Sequence, residues 1–185
     1  MGVKSATARG LTSGLEPGLV LLNTTSFSAV SSVSLPANTF TSTYENYNVI
    51  FAVSGCSADA SVTLRLRAAG VDASGANYDF AYAGRVSNGT DGGNNASGGT
   101  QFDLFQTDAG NNSSKYLTRI DFYRPQLTDT TQMLMQQIAI TSAGGLFYSQ
   151  NGGGLHGLAT SYDSASFNLS TGTFSGKVTV YGYNQ

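Results

Sequence analysis

Between Ser61 and Arg67 the chain reads Ser-Val-Thr-Leu-Arg-Leu-Arg. In an extended backbone this puts Val62, Leu64 and Leu66 on one side and Ser61, Thr63, Arg65 and Arg67 on the other. The same period of two returns at Tyr78, Phe80 and Tyr82, more briefly at Phe102 and Leu104, and along Lys115 to Tyr123. In that last segment Tyr116, Thr118, Ile120 and Phe122 oppose Leu117, Arg119, Asp121 and Tyr123, so both faces carry apolar groups and the outer face is expected to be covered as well. Tyr47 to Val53 is nearly continuously apolar, as in a strand buried on both sides. Gln132 to Ile140 contains helix-tolerant residues, but it has no capping box and ends in Ile-Ala-Ile-Thr, which reads as a strand. Further strands are expected over 27–35, 146–149, 155–161, 166–169 and 177–183. About ten short strands with no helix predict an all-β chain: an antiparallel β-sandwich of jelly-roll type, with a closed barrel as the other solution.

Composition explains what separates the strands. The chain holds 23 glycines among 185 residues and is rich in Ser, Thr and Asn, the residues that build turns. A chain of this length forms one domain that buries roughly 70% of its unfolded surface, enough for a core without staples. Its one cysteine, Cys56, cannot form an intrachain disulfide and is expected to be a small buried apolar residue. With one histidine there is no ligand set for a structural zinc, and no cofactor is expected. The nine Lys and Arg are scattered and the net charge is −2, so no basic stripe is available for nucleic acid.

Residues 1–18 hold four glycines and one proline without an apolar period. They read as an extended N-terminal arm, and residues 19–185 as the sandwich domain. Lys4 and Arg9 precede Leu19 to Leu22, but Glu16 and Pro17 interrupt the interval, so no signal-peptide core of about 7 to 15 apolar residues forms. No apolar run reaches the roughly 20 residues needed to span a bilayer.

Two segments stand out as candidate contact loops. Residues 87–99 contain no side chain larger than Asn and offer Asn88, Asp91, Asn94 and Asn95 to a ligand. Their spacing matches no calcium loop, and only one of them is charged. Residues 144–157 set Tyr148, Gln150, Asn151 and His156 among glycines, a combination suited to sugars, since a ring stacks on a pyranose and amides bond its hydroxyls. The plainer reading of the second segment is a hairpin with Tyr148 turned inward and His156 hydrogen-bonded at a strand end. Catalytic constellations are missing. There is no G-x-S-x-G elbow, and Glu16 and Glu45 lie in the arm and in a turn, while Asp79, Asp103 and Asp121 alternate with apolar residues as outer-face positions.

Taken in order, GLVLLNTTSFSAVSSVSLPANTFTSTYENYNVIF, SVTLRLRAAGVDASGANYDF, RIDFYRP and GTFSGKVTVYGY resemble small tail-fibre-like and virion structural proteins of tailed bacteriophages, especially those of marine and cyanobacterial hosts. The resemblance spans residues 18–183. It implies a non-enzymatic component displayed on the virion, made in the host cytoplasm without a signal peptide and assembled as a homo-oligomer, with a trimer favoured. Other virion proteins would be its partners and a host surface glycan its external contact. A capsid decoration protein is the alternative, and a soluble carbohydrate-binding module a weaker one. On this reading the arm docks the domain to the particle, with Val3, Leu11 and Leu15 as apolar anchors and Lys4 and Arg9 facing acidic neighbours.

Overall fold

The structure is a computed structural model that describes residues 18–107, 115–140 and 147–184. The five arm residues expected to dock, Val3, Lys4, Arg9, Leu11 and Leu15, lie outside the described residues. Among those described there are thirteen strands and no helix. They are β1 (Gly18–Val30), β2 (Ser32–Ser34), β3 (Asn46–Cys56), β4 (Ala60–Ala68), β5 (Val71–Asp72), β6 (Tyr78–Val86), β7 (Asp91–Gly99), β8 (Phe102–Thr107), β9 (Lys115–Tyr123), β10 (Thr131–Ile140), β11 (Phe147–His156), β12 (Ser164–Leu169) and β13 (Phe174–Asn184). All pairings are antiparallel.

An eight-stranded sheet runs β1-β13-β3-β9-β10-β11-β6-β7, and a smaller sheet runs β2-β12-β4-β5 with β8 also paired to β4. The two sheets meet face to face. Phe51 of β3 stacks on Phe167 of β12 with ring centroids 4.3 Å apart and planes 9° from parallel. Phe27, Phe105 and Phe174 surround Phe51 at 5.8, 6.3 and 5.9 Å. The inward side of the period-two pattern is the core: Val62, Leu64, Leu66, Ile120, Phe122 and Val178 are all buried, and so is Cys56.

Three sequence expectations are corrected. The strand expected over 27–35 is two strands divided at Ser31, the first reaching back to Gly18. The strands expected at 146–149 and 155–161 are one, β11, which continues through Gly152, Gly153 and Gly154. Residues 87–99 are not a loop, since Asp91–Gly99 forms β7 at one edge of the large sheet.

Glycines within the strands are tolerated because neighbouring backbone, and in places an aromatic ring, occupies the space that a side chain would fill. At Gly154 the ring of Phe102 lies 2.6 Å from where a Cβ would stand. At Gly182 the ring of Tyr44 fills the same space. The opposite edge, β1, is broken by two register shifts and by Ala29 at φ 49°, irregularities that discourage edge-to-edge pairing.

Arg65 reaches the Thr100 carbonyl and the Gln101 side chain, both at 3.2 Å, from the face of β4 opposite Leu66. Leu66→Ala is therefore expected to cost about 2 to 5 kcal/mol in chemical denaturation, and Arg65→Ala much less. A larger loss for the arginine variant would invert the assignment of faces on β4.

Candidate functional site

The two segments singled out in the sequence come together. Strand β6 lies between β7 and β11, so the hairpin residues and the glycine-flanked residues share one end of the large sheet. Asn88, Asp91, Asn94 and Asn95 are all exposed there. Asn94 Nδ2 donates to Asp103 at 3.4 Å, and Asp91 pairs with Arg85 at 3.5 Å. On β11, Asn151 is exposed and Tyr148 half-buried, its hydroxyl accepting from Gln150 Nε2 at 2.6 Å.

Gln150 and His156 are buried, which removes them from any surface a ligand could reach from outside. The alternation of β11 turns both inward, a consequence hidden in the sequence by the glycines between them. The His156 ring makes an edge contact with Tyr78 at 4.3 Å, and its Nδ1 lies 3.1 Å from the Tyr162 hydroxyl. Burial holds its pKa below the ordinary 6.5, against the opposing effect of a hydrogen bond to the Leu158 backbone. Its role is structural.

A buried polar row crosses the same sheet. Thr118, Gln137 and Gln150 are register neighbours on β9, β10 and β11, all facing inward and all at most 4% exposed. Neither amide atom of Gln137 has a hydrogen-bond partner, nor does Gln150 Oε1 or Thr118 Oγ1. Each such atom gives up water without replacement.

The outer face of β9, expected from its apolar residues to be covered, is open among the described residues, and the sequence reading missed that β10 extends it. Leu117, Tyr123, Leu134, Ile138 and Ile140 stand 45% to 67% exposed on the adjacent strands β9 and β10. Leu117 and Ile138 are direct cross-strand partners. Two open depressions flank this stripe. One, of about 650 Å³, is lined by Asp121, Tyr123, Leu134, Gly153, Leu155 and Tyr183. The other, of about 790 Å³, lies against Phe27, Ala52, Leu117, Ile138, Ile140 and Lys177. A signal was available: Leu134, Ile138 and Ile140 alternate with Met133, Met135 and Ala139, so β10, like β9, is apolar on both faces.

The charged groups at the centre of this face and their neighbours Asn48 and Tyr183 bond one another, whereas the buried Oδ1 of Asn46 beside them has no hydrogen-bond partner. Asp121 Oδ1 accepts from the Tyr183 hydroxyl at 2.5 Å and from Asn48 Nδ2 at 2.6 Å, while Arg119 bonds the Tyr183 oxygen at 3.0 Å and the Asp121 carboxylate at 3.2 Å. Burial, reinforced by Asp121, holds the Tyr183 phenol above its ordinary pKa. Self-satisfied polar groups beside exposed apolar ones suit contact with another protein better than capture of a small polar ligand. Among the described residues no group of three or more His, Cys, Asp or Glu gathers where it could hold a metal ion, and no helix is long and apolar enough to cross a membrane.

Comparison of the chain with protein-family models, with curated proteins and with solved structures found no match.

Two predictions follow from the buried polar groups. Below pH 6.5 the unfolded chain binds a proton at His156 that the native state resists, so stability should fall as pH drops through that value and level off below the depressed native pKa. Replacing His156 with Phe should flatten that part of the pH profile in thermal melts, and an unchanged slope would assign it to other groups. Gln137→Leu, which removes two unsatisfied atoms, is expected to stabilise the fold by about 1 kcal/mol; a loss of stability would mean the amide has a partner in solution.

Proposed function

We propose that the chain is a non-enzymatic structural protein of a bacteriophage virion, a tail- or fibre-type β-sandwich displayed on the particle and assembled with further copies of itself and with other virion proteins. The observation that carries this reading is the set of exposed apolar side chains Leu117, Leu134, Ile138 and Ile140 on a sheet face with no second layer over it among the described residues. A protein that worked alone would leave little reason for such a patch, whereas a subunit buries it on assembly. The ordered resemblance over residues 18–183 supplies the class of assembly.

The path of the chain supports the jelly-roll reading. β1, β13 and β3 are neighbours in the large sheet while β2, β12 and β4 are neighbours in the small one, and the chain passes between sheets from β1 to β2, from β3 to β4 and from β12 to β13. In this reading the arm of residues 1–18 docks to the particle and the β6–β7 hairpin, at the far edge of the large sheet, meets the outside. Asn88, Asp91, Asn94, Asn95 and Asn151 would supply amide and carboxylate groups to a host surface glycan, with the half-buried Tyr148 behind them. A capsid decoration protein would use the same stripe to seat on the shell.

The test is made on purified particles from an infected culture carrying the gene. The chain should be present in them, with a copy number of some tens for a tail protein and hundreds for a decoration protein, and its absence from the particle would overturn the reading. The double variant Leu134→Glu with Ile138→Glu should melt as the parent does, because both side chains are exposed, yet fail to oligomerise or join the particle. Normal incorporation of that variant would remove the stripe as the assembly surface.

A further inference from the structure

Asparagine followed by glycine occurs twice in the chain, at Asn88-Gly89 and at Asn151-Gly152. The dipeptide has intrinsic chemistry. The backbone nitrogen of the second residue can attack the side-chain carbonyl carbon of the first, closing a five-membered imide as the amide nitrogen leaves as ammonia. Water then opens the ring to aspartate or, at the other carbonyl, to isoaspartate. The balance is one water consumed and one ammonia released, with no oxidant or cofactor. Glycine permits it best because there is no Cβ to block the approach.

The fold treats the two sites differently. Asn88 lies at the tip of the β6–β7 hairpin, where residues 87–90 are all exposed. The Gly89 N–H donates to Val86 O at 2.9 Å, the Val86 N–H donates to Thr90 O at 2.8 Å, and Gly89 has φ +91°. This is a type I turn closed by a left-handed glycine. The attacking nitrogen is thus restrained by one hydrogen bond at the end of an edge strand, and local fraying releases it without unfolding the domain.

The electrophile is also prepared. Asn88 Oδ1 accepts the Thr90 N–H at 3.0 Å. That oxygen is where negative charge gathers as the nitrogen adds to Cγ, so the Thr90 amide stands where an oxyanion-stabilising donor would be placed.

Asn151 has neither freedom. It lies within β11, paired with Gln136 on one side and Ala83 on the other, and Gly152 is paired with Met135 and Tyr82. At Gly152 the backbone of Tyr82 is so close that even a Cβ would not fit. Rotating this dipeptide into the attack geometry would break both ladders in the interior of the sheet.

We propose that Asn88 is a site of spontaneous deamidation in the folded protein and that the fold protects Asn151 from the same reaction. The product adds a carboxylate to the short turn next to Arg85, whose guanidinium reaches the Gly89 carbonyl at 3.4 Å and the Asp91 carboxylate at 3.5 Å. The turn then carries a second negative charge besides Asp91, and the isoaspartyl product lengthens its backbone by a methylene. If the hairpin is the outward contact, which rests on the function proposed above, the surface changes with the age of the particle; the chemistry itself does not depend on that reading.

The experiment uses the full chain, incubated folded at mildly alkaline pH and sampled over time for peptide mass spectrometry, with an isoaspartyl methyltransferase to label the isomer. The Asn88 peptide should progressively acquire the amide-to-acid mass change and the label, while the Asn151 peptide stays intact. In denaturant both peptides should convert. Asn88→Gln, which would have to close a larger ring, should abolish the new acidic isoform on isoelectric focusing. An intact Asn88 in the folded protein, or conversion of Asn151 at the same rate, would overturn the proposal.

Discussion

The stack of Phe51 on Phe167 is the contact on which the two-layer arrangement depends. It joins the large sheet to the small one at van der Waals distance, and Phe27, Phe105 and Phe174 close around it. Aromatic side chains suit this position because each buries a large apolar area at the cost of few rotatable bonds. With nine Lys and Arg and eleven Asp and Glu in 185 residues, surface ion pairs contribute little to the balance. The layer of rings therefore carries cohesion that longer side chains share in other proteins, and it sets the spacing at which the remaining inward residues meet.

Close contact with a ring or with neighbouring backbone explains how so much glycine is tolerated. A strand of glycines has no side chains to pack and loses more backbone entropy than any other strand on folding. Strand β11 offsets this by lying between β10 and β6, with Phe102 over Gly154 and Tyr82 against Gly152. Close approach of the backbone then becomes a packing asset. The arrangement has a cost in the polar interior, where Thr118, Gln137 and Gln150 lie side by side with unsatisfied atoms.

On the outer side, β9 and β10 present apolar residues to solvent while Asp121, Asn48, Arg119 and Tyr183 bond one another between Leu117 and Tyr123. This division fits the proposed role as an assembling subunit. The polar cluster is already satisfied and can be buried with little further desolvation, and the apolar stripe supplies the driving force.

The alternation of Val62, Leu64 and Leu66, and of Ile120 and Phe122, determined by itself that these segments are strands and which of their faces is core, because in an extended chain a side chain's direction is fixed by parity. The absence of a sustained helical period determined the all-β class in the same way. Parity has nothing to act on in DGGNNASGG or in the glycine triplet of β11, so those segments read as loops. Only the tertiary structure made them strands, by providing paired neighbours on β6 and β10 and rings to fill the missing side-chain volume. It also decided the candidate sites. Burial of Gln150 and His156, exposure of Leu134 and Ile138, and the meeting of the two glycine-rich segments on either side of β6 all depend on which strands lie side by side and how far the smaller sheet extends, and these are properties of non-local packing that no local pattern encodes.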